Sequence, residues 1–585
     1  MNFLPSKLHR STILSLLIIF VGFIFLMLPA IPYGSQEQCV LGKCGIFFAD
    51  IYRARDDLWH MALAQVAFDT SPFRMPIFAG AYLQNYHFLY SFILGLVTKL
   101  GISVNAGYYV VLPIAWFAAY TFLTVRISEK LTSDRRAIPF FLFFSYFSSG
   151  FAFLLSLKNT GSFIHNIGWF SNQPGEYLIN PTLALSLIFF QLLLLILLDG
   201  IRSVRKVIVC LVIMFLLWGS KFYAGVIGIS FISIYLVASV FRKKTLVKQS
   251  IWILSGVCIV SICAVIVFYN PFNTIGKGGV FNIEPFKTIH PMIEDPELFP
   301  LLRVARIRYL LADRPILFWP ILVIIEEMTL ILYVIFAYGT RILSIGLAFM
   351  KEKLSPFLLA LFGSSIIATV LPALLTQKGG DWFNTIQFMA YSQFLLQISL
   401  AIFVFKLYVQ KSRNTRIAVI VVLCITLLGA LNPVFEYGRH FPIVSNFISP
   451  KLFQPRVYVS TEELRALAFL KGLEQGTVFT FPFTPIFDTA TVKQLWKTND
   501  TALVAALGDK QLYAANLEQL DLMSIEHSTR TFELKDLNKI NIAKLPVRYF
   551  YLQKEYPGYA SFTKRLKPYA KIIFENKEVT VWEKN

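Results

Sequence analysis

Eleven apolar stretches, most of them near the length that lets a helix cross a bilayer, restrict what this chain can fold into more than any motif does. Crossing the hydrocarbon core takes about 20 apolar residues in a helix. Runs of that kind lie at about 12–28, 107–125, 137–157, 181–198, 207–219, 222–241, 251–269, 315–338, 355–375, 384–405 and 417–431. Composition agrees, since 56% of the 585 residues are hydrophobic and only 15% are charged, against about 25% charged in soluble domains. The expected fold class is mainly α, a polytopic membrane helical bundle of about eleven spans, carrying a small extracytoplasmic α/β domain at its C-terminus.

The formal net charge of +20 would suggest a nucleic-acid partner in a soluble protein. In a membrane chain, basic residues instead hold loops in the cytoplasm and against anionic headgroups, and no nucleic acid is expected. Lys7 and Arg10 precede the first run, which has no cleavage site of the expected form and reads as a retained span, so the N-terminus is expected in the cytoplasm. With eleven crossings, the clusters Arg126/Lys130/Arg135/Arg136, Arg202/Arg205/Lys206, Arg242/Lys243/Lys244, Arg341/Lys351/Lys353 and Lys411/Arg413/Arg416 all fall on that same side. Letting the apolar stretch from about His87 to Leu100 cross would invert every later cluster, so it reads as a helix in or dipping into the outer leaflet.

The outer side then receives a long first loop (33–106), a short loop at 158–180, a second long loop (270–314), the link Gln377-Lys378-Gly379-Gly380-Asp381-Trp382, and everything after about 431. Two domains follow: a transmembrane domain at 1–431 and an outer domain at 432–585. In the latter, apolar runs are short, and Ser460 with Glu463 has capping-box spacing ahead of Leu464, Leu467 and Leu470. Cys39 and Cys44 are close enough in the first outer loop to pair in an oxidising compartment.

That loop also carries Asp56-Asp57-Leu58-Trp59-His60. At about 3.6 residues per turn the three titratable groups fall within an arc of about 100°, one face of a helix. Such a face suits acid/base work or a divalent cation, Mg²⁺ or Mn²⁺, on Asp56, Asp57 and His60. The lack of a second His at ligand spacing argues against zinc. A competing reading makes Asp56 the N-cap of a helix beginning there, with Asp57 favouring its positive end.

The run Asp56-Asp57-Leu58-Trp59-His60, followed by Pro76, Ala79-Gly80 and Asn85-Tyr86-His87-Phe88, resembles the bacterial GT-C glycosyltransferases, polytopic enzymes that use polyprenyl-phosphate sugars. The C-terminal Arg548-Tyr549-Phe550-Tyr551-Leu552 and Phe574-Glu575-Asn576-Lys577-Glu578-Val579 are similar to endings common in such chains. The resemblance implies a glycosyltransferase of inverting type at the outer membrane face. Its donor would be a polyprenyl-phosphate sugar and its surroundings membrane lipid, with an acceptor that is a lipid, glycan or protein. An acidic residue of the first outer loop would act as base, Asp56 ahead of Asp57, with His60 to orient it. Such a transfer needs a carboxylate to take the acceptor proton and cations to hold the departing phosphate. Lys221 is the leading cation, joined by Arg303, Arg306 and Lys378, each of which also fits an interfacial anchor. Tyr86, His87, His165, Glu176 and His290 are candidates for an acceptor cleft. A rival class, a transporter or lipid-linked sugar flippase, rests on Glu326 and Glu327, which fall halfway across the bilayer when counted from Pro315. The chain has no Walker loop and no Rossmann glycine fingerprint, so nucleotide hydrolysis is not expected.

Overall fold

The computed structural model describes residues 10–27, 36–40, 42–48, 51–161, 174–201, 203–242, 247–270, 281–296, 298–312, 314, 316–350, 354–377, 382–410, 412–438, 457–486 and 492–585. Among the described residues all eleven apolar stretches form helices, the one at 137–157 as two helices broken at 148–151. Eight helices among the described residues are long and apolar enough to cross a membrane, and nine if Arg135–Phe147 and Ala152–Thr160, bent by 43° at their junction, form one span. The expected eleven also included Ser11–Met27 and Val204–Ser220, which are shorter. The stretch after His87 forms the helix Leu89–Lys99, whose 11 residues are too few to cross.

The bend at Ser148-Ser149-Gly150 has a local cause. A Cβ on Gly150 has no room against the Phe336 carbonyl, and Gly429 is equally tight against Ser149. Gly339, at φ +56°, likewise faces the Ser149 carbonyl without space for a side chain. Breaking a helix inside a bundle leaves carbonyls to be satisfied by the protein itself. Arg341 does this: fully buried, it donates from Nη2 to the Ser148 carbonyl at 2.8 Å and from Nη1 to the Tyr338 carbonyl at 3.5 Å. Its guanidinium thus serves the negative ends of two helices, Ile138–Phe147 and Trp319–Tyr338. Arg341 therefore departs from its expected place among cytoplasmic loop cations, because the chain stays helical through Phe349. Lys351 and Lys353 lie outside the described residues.

The chain divides into two compact units. One comprises Met1–Pro29, Ala115–Val267 and Gly278–Gly438, and the other Ala30–Ile114, Phe268–Lys277 and Arg439–Asn585. The strands are β1 Gln38–Val40, β2 Lys43–Phe48, β3 Phe281–Ile283, β4 Leu375–Gln377, β5 Val457–Ser460, β6 Val478–Thr480, β7 Lys493–Gln494, β8 Tyr549–Gln553, β9 Ala570–Glu575 and β10 Val579–Lys584. β3 and β4 pair within the first unit. In the second unit, two four-stranded sheets run β1-β2-β5-β7 and β6-β8-β10-β9. The first two strands form a hairpin closed by the Cys39–Cys44 disulfide, and β2 pairs antiparallel with β5. The first loop and the C-terminal segment thus share one sheet.

Around β5 the predicted capping box is complete, with Ser460 Oγ accepting from Glu463 N at 3.1 Å and the Glu463 carboxylate accepting from Ser460 N at 3.5 Å. The ending Asn576-Lys577-Glu578-Val579 has a structural use: Asn576 Oδ1 accepts from the backbone N–H of Glu578 and Val579, and the Glu578 carboxylate accepts from Ser460 Oγ and Gln494 Nε2. Glu463 is fully buried, and burial, followed by the charge of Glu578, pushes its pKa up to about 8. The folded domain therefore holds a proton that the unfolded chain releases near pH 4 to 5, so stability falls as pH rises from there to about 8, by roughly 1.4 kcal/mol per unit. Glu463→Gln keeps the acceptor and removes the titration. Thermal unfolding of the full chain in detergent from pH 5 to 9 is expected to show a falling midpoint for wild type and a flat one for the variant; parallel curves would refute the assignment.

Candidate active site

The acidic pair sits on the helix Ile51–Val66, which begins five residues before Asp56 and has no acidic residue in its first turn. The capping alternative is thereby overturned, since both carboxylates lie inside the helix. Ala54, Leu58, Met61 and Ala62 are buried on its inner side. Neighbouring elements are the helices Leu89–Lys99 and Leu503–Gly508. Gly95 permits the first approach, as a Cβ there would come within 2.9 Å of the Ala64 carbonyl.

Adjacent residues on a helix diverge by about 100°, and here that angle separates two environments. Asp57 is 1% exposed. Its Oδ1 accepts from Tyr108 OH at 2.7 Å and its Oδ2 from Tyr109 OH at 2.6 Å, while Arg53 Nε stands 3.5 Å from Oδ2. The two consecutive tyrosines lie on a π-turn, Gly107–Val111, whose wider winding lets neighbouring side chains converge on one carboxylate. The Asp56 side chain, by contrast, is 64% exposed, with Arg55 Nε at 3.7 Å from Oδ1. Arg55 also pairs with Glu518.

His60 is buried with Asp57, not exposed with Asp56. Its Nδ1 lies 3.0 Å from Ser91 Oγ, and its ring packs against Tyr86, Tyr90 and Tyr108. Tyr86 stacks on His87 at 4.6 Å and meets Trp59 edge-on at 5.5 Å. Burial raises the Tyr86 phenol pKa well above its ordinary value and the negative charge of Asp56 raises it further, so the phenol stays protonated beside that carboxylate. The three residues proposed for a divalent cation do not form a donor set: Asp57 is occupied by phenols and a guanidinium, His60 Nδ1 by Ser91, and Asp56 points elsewhere. No cluster of three or more His, Cys, Asp or Glu suited to a metal occurs among the described residues.

Lys221, at the turn between the helices Val204–Ser220 and Phe222–Arg242, is 5% exposed. Its Nζ donates to Asn180 Oδ1 at 3.2 Å and Thr182 Oγ1 at 3.0 Å. Asn180 is the N-cap and Pro181 the first residue of the helix Pro181–Asp199, so the ammonium stands beside a positive helix end. Glu176, a candidate for the acceptor cleft, is buried in the short turn Pro174–Ile179.

Arg303 and Arg306 are exposed on the helix Leu302–Ala312. Arg308 on the same helix is buried, giving Nη2 to Glu294 Oε1 at 2.7 Å and bringing Nη1 to 3.6 Å from Glu326 Oε1. His290 Nε2 completes that cluster 3.0 Å from Glu326 Oε1. Glu327 is exposed. The helical element carrying them runs from Trp319 to Phe349, 31 residues, with Glu326 in its N-terminal third. His165 and Lys378 lie outside the described residues. Sequence reasoning missed Arg53, Ser91, Tyr108, Tyr109 and Asn180. Only Asn180, an Asn directly before Pro, carried a readable signal, that of a helix start.

No protein-family model matches this chain, and no curated protein matches it significantly. Among solved structures, the oligosaccharyltransferase AglB from Archaeoglobus fulgidus, in complex with an inhibitory peptide and a dolichol-phosphate, is similar over 98% of this chain and 74% of its own, at 12% identity and a TM-score of 0.45. Apo ArnT from Cupriavidus metallidurans is similar over 98% of both chains at 10% identity and a TM-score of 0.45. ArnT bound to undecaprenyl phosphate gives 97% of both chains, 11% identity and a TM-score of 0.39. These proteins are GT-C glycosyltransferases, the class that the sequence motifs resemble. At such scores the likeness assigns no residue of this chain a role.

The environments of the two aspartates predict opposite mutational behaviour. Asp57→Asn is expected to cost about 2–4 kcal/mol of stability and Tyr108→Phe or Tyr109→Phe about 1.5–3 kcal/mol each. Asp56→Asn should stay within about 0.5 kcal/mol of wild type. Thermal unfolding in detergent checks the order, and an Asp56 variant less stable than the Asp57 variant would refute it.

Proposed function

We propose that this chain is an integral membrane glycosyltransferase that moves a sugar from a polyprenyl-phosphate donor to an acceptor at the outer membrane face. The observation that carries the proposal is the contrast within the acidic pair: Asp57 is consumed by two phenols and a guanidinium, whereas Asp56 is exposed on the helix that this lock holds still. Asp56 is the general base. It takes the proton from the acceptor hydroxyl or amine as that atom attacks the sugar's anomeric carbon, and the bond to the phosphate oxygen breaks with its electron pair leaving on the lipid phosphate. Protonated Tyr86, with His87 stacked against it, offers a hydrogen-bonding aromatic surface for the acceptor.

Lys221, backed by the N-terminus of the helix Pro181–Asp199, is assigned to the phosphate, where an ammonium and a positive helix end both favour developing negative charge. Exposed Arg303 and Arg306 supply further positive charge at the membrane surface. Direct attack by the acceptor with no covalent sugar intermediate makes the transfer inverting. The Cys39–Cys44 disulfide supports an oxidising, outer location for the first loop. By the same orientation, the domain at 432–585 is extracytoplasmic and the N-terminus cytoplasmic.

Purified protein supplied with polyprenyl-phosphate sugars tests the assignment through donor turnover. Asp56→Asn is expected to lower turnover at least about 100-fold at unchanged thermal stability; wild-type turnover in that variant would reject the base. Orientation is read separately in intact cells with a membrane-impermeant thiol reagent. A cysteine replacing Tyr52, 72% exposed beside the acidic pair, should be modified from outside, and one replacing Lys130 should not. The reverse pattern would place the acids on the wrong side for this donor.

A further inference from the structure

Lys221 belongs to a ring of polar side chains within the first compact unit, closed by the backbone between Lys221 and Tyr223. From Lys221 the ring passes to Asn180 at 3.2 Å, and Asn180 Nδ2 donates to Gln387 Oε1 at 3.2 Å. Gln387 Nε2 donates to Asn384 Oδ1, and Asn384 Nδ2 to Gln377 Oε1 at 2.9 Å. Tyr223 OH donates to Gln377 Oε1 at 3.4 Å, returning the ring to the turn that carries Lys221. Its members come from four separate elements: the start of Pro181–Asp199, the turn at Lys221, β4, and the short helix Trp382–Gln387.

Lys221 is buried, but the four amides are only half-buried. A side-chain amide has two donor hydrogens and a two-lone-pair acceptor. The ring uses one hydrogen of each amide on Asn180, Gln387 and Asn384, and neither on Gln377, so donors and acceptors are left on groups that reach the surface. Neutral groups offering both are suited to hydroxyls, which also give and accept. Charged phosphate oxygens, in contrast, are matched by the ammonium.

We infer that Gln377, Asn384 and Gln387 read the hydroxyls of the transferred sugar while Lys221 holds its phosphate, making the amides specificity-determining residues for an uncharged polyhydroxyl sugar. The inference rests on the donor-phosphate role proposed for Lys221. A site built to hydrogen-bond a hydroxyl discriminates strongly against a ligand that lacks it, because its own polar groups are then left unpaired.

The probes are geranyl phosphate alone and geranyl-phosphoryl sugars spanning three hexoses, a pentose and an N-acetylhexosamine, with dissociation constants measured on the full chain in detergent. Wild type is expected to bind at least one sugar phosphate about tenfold more tightly than geranyl phosphate. Asn384→Leu and Gln387→Met should remove most of that gain while holding affinity for geranyl phosphate within about twofold, which also shows that they are folded. No gain from any sugar in wild type, or a gain retained in both variants, overturns the inference. Lys221→Met should weaken all probes by about tenfold. If it leaves geranyl phosphate untouched, the phosphate assignment fails, and the sugar increment still decides the amides separately.

Discussion

Two phenols and a guanidinium close on the Asp57 carboxylate in a pocket that excludes water, and a buried carboxylate is tolerated only when so satisfied. Losing one donor would leave the charge exposed to a low dielectric, so the three groups hold the helix Ile51–Val66 to the π-turn at Gly107–Val111 as firmly as any apolar contact does. The rotation of that helix follows. With Asp57 facing inward, Asp56 must face outward one residue away, and His60 is drawn inward to Ser91 and the tyrosines. A single carboxylate is thereby aimed by its neighbour. This is a different logic from two carboxylates sharing one site, where mutual repulsion would tune a pKa; here the second acid works through position.

Much of the fold was legible because hydrocarbon forces a simple code: all eleven apolar runs are helical, though 137–157 is broken in two, and the stretch after His87 stops at 11 residues. The capping box at Ser460 and Glu463 was equally readable, being a local device with fixed spacing. Long-range pairings were not. Nothing in Lys43–Phe48 announces Val457–Ser460 as its strand partner, more than four hundred residues on. The site was half legible. Spacing picked out Asp56, Asp57 and His60, but helical angles alone cannot say which side of the helix is buried, and the arc that united the three is cut by the boundary between core and solvent. Arg341 shows the same limit: a basic residue near the end of an apolar run reads as a loop cation unless the carbonyls it must satisfy are known.

Glu326 illustrates how element length alters function. Counted on a helix ending near residue 338, it falls at mid-membrane, where a carboxylate usually marks a proton or ion path. On an element that continues to Phe349 it stands in the N-terminal third, where Arg308 and His290 reach it and Arg308 also holds Glu294. A carboxylate tied to a guanidinium and an imidazole fastens the helix Leu302–Ala312 against the N-terminal part of Trp319–Tyr338. It has the geometry of a latch, and Glu327 beside it is exposed.

The ring around Lys221 poses the opposite question, because no latch requires so many groups. In an apolar bundle each amide must recover the hydrogen bonds it surrendered to water, and a partly satisfied network is worse for stability than leucines of similar size. The ammonium already has the oxygens of Asn180 and Thr182 at 3.2 and 3.0 Å. Gln387, Asn384 and Gln377 extend the network beyond the two oxygens that the ammonium reaches, and return it to Tyr223 beside Lys221. They are only partly buried, and not every amide hydrogen is used within the ring. Groups retained at a cost to packing, and left partly unsatisfied where a ligand could satisfy them, are arranged for recognition. In the assignment proposed above, the lysine meets the charge of the donor phosphate and the amides meet the hydroxyls of its sugar.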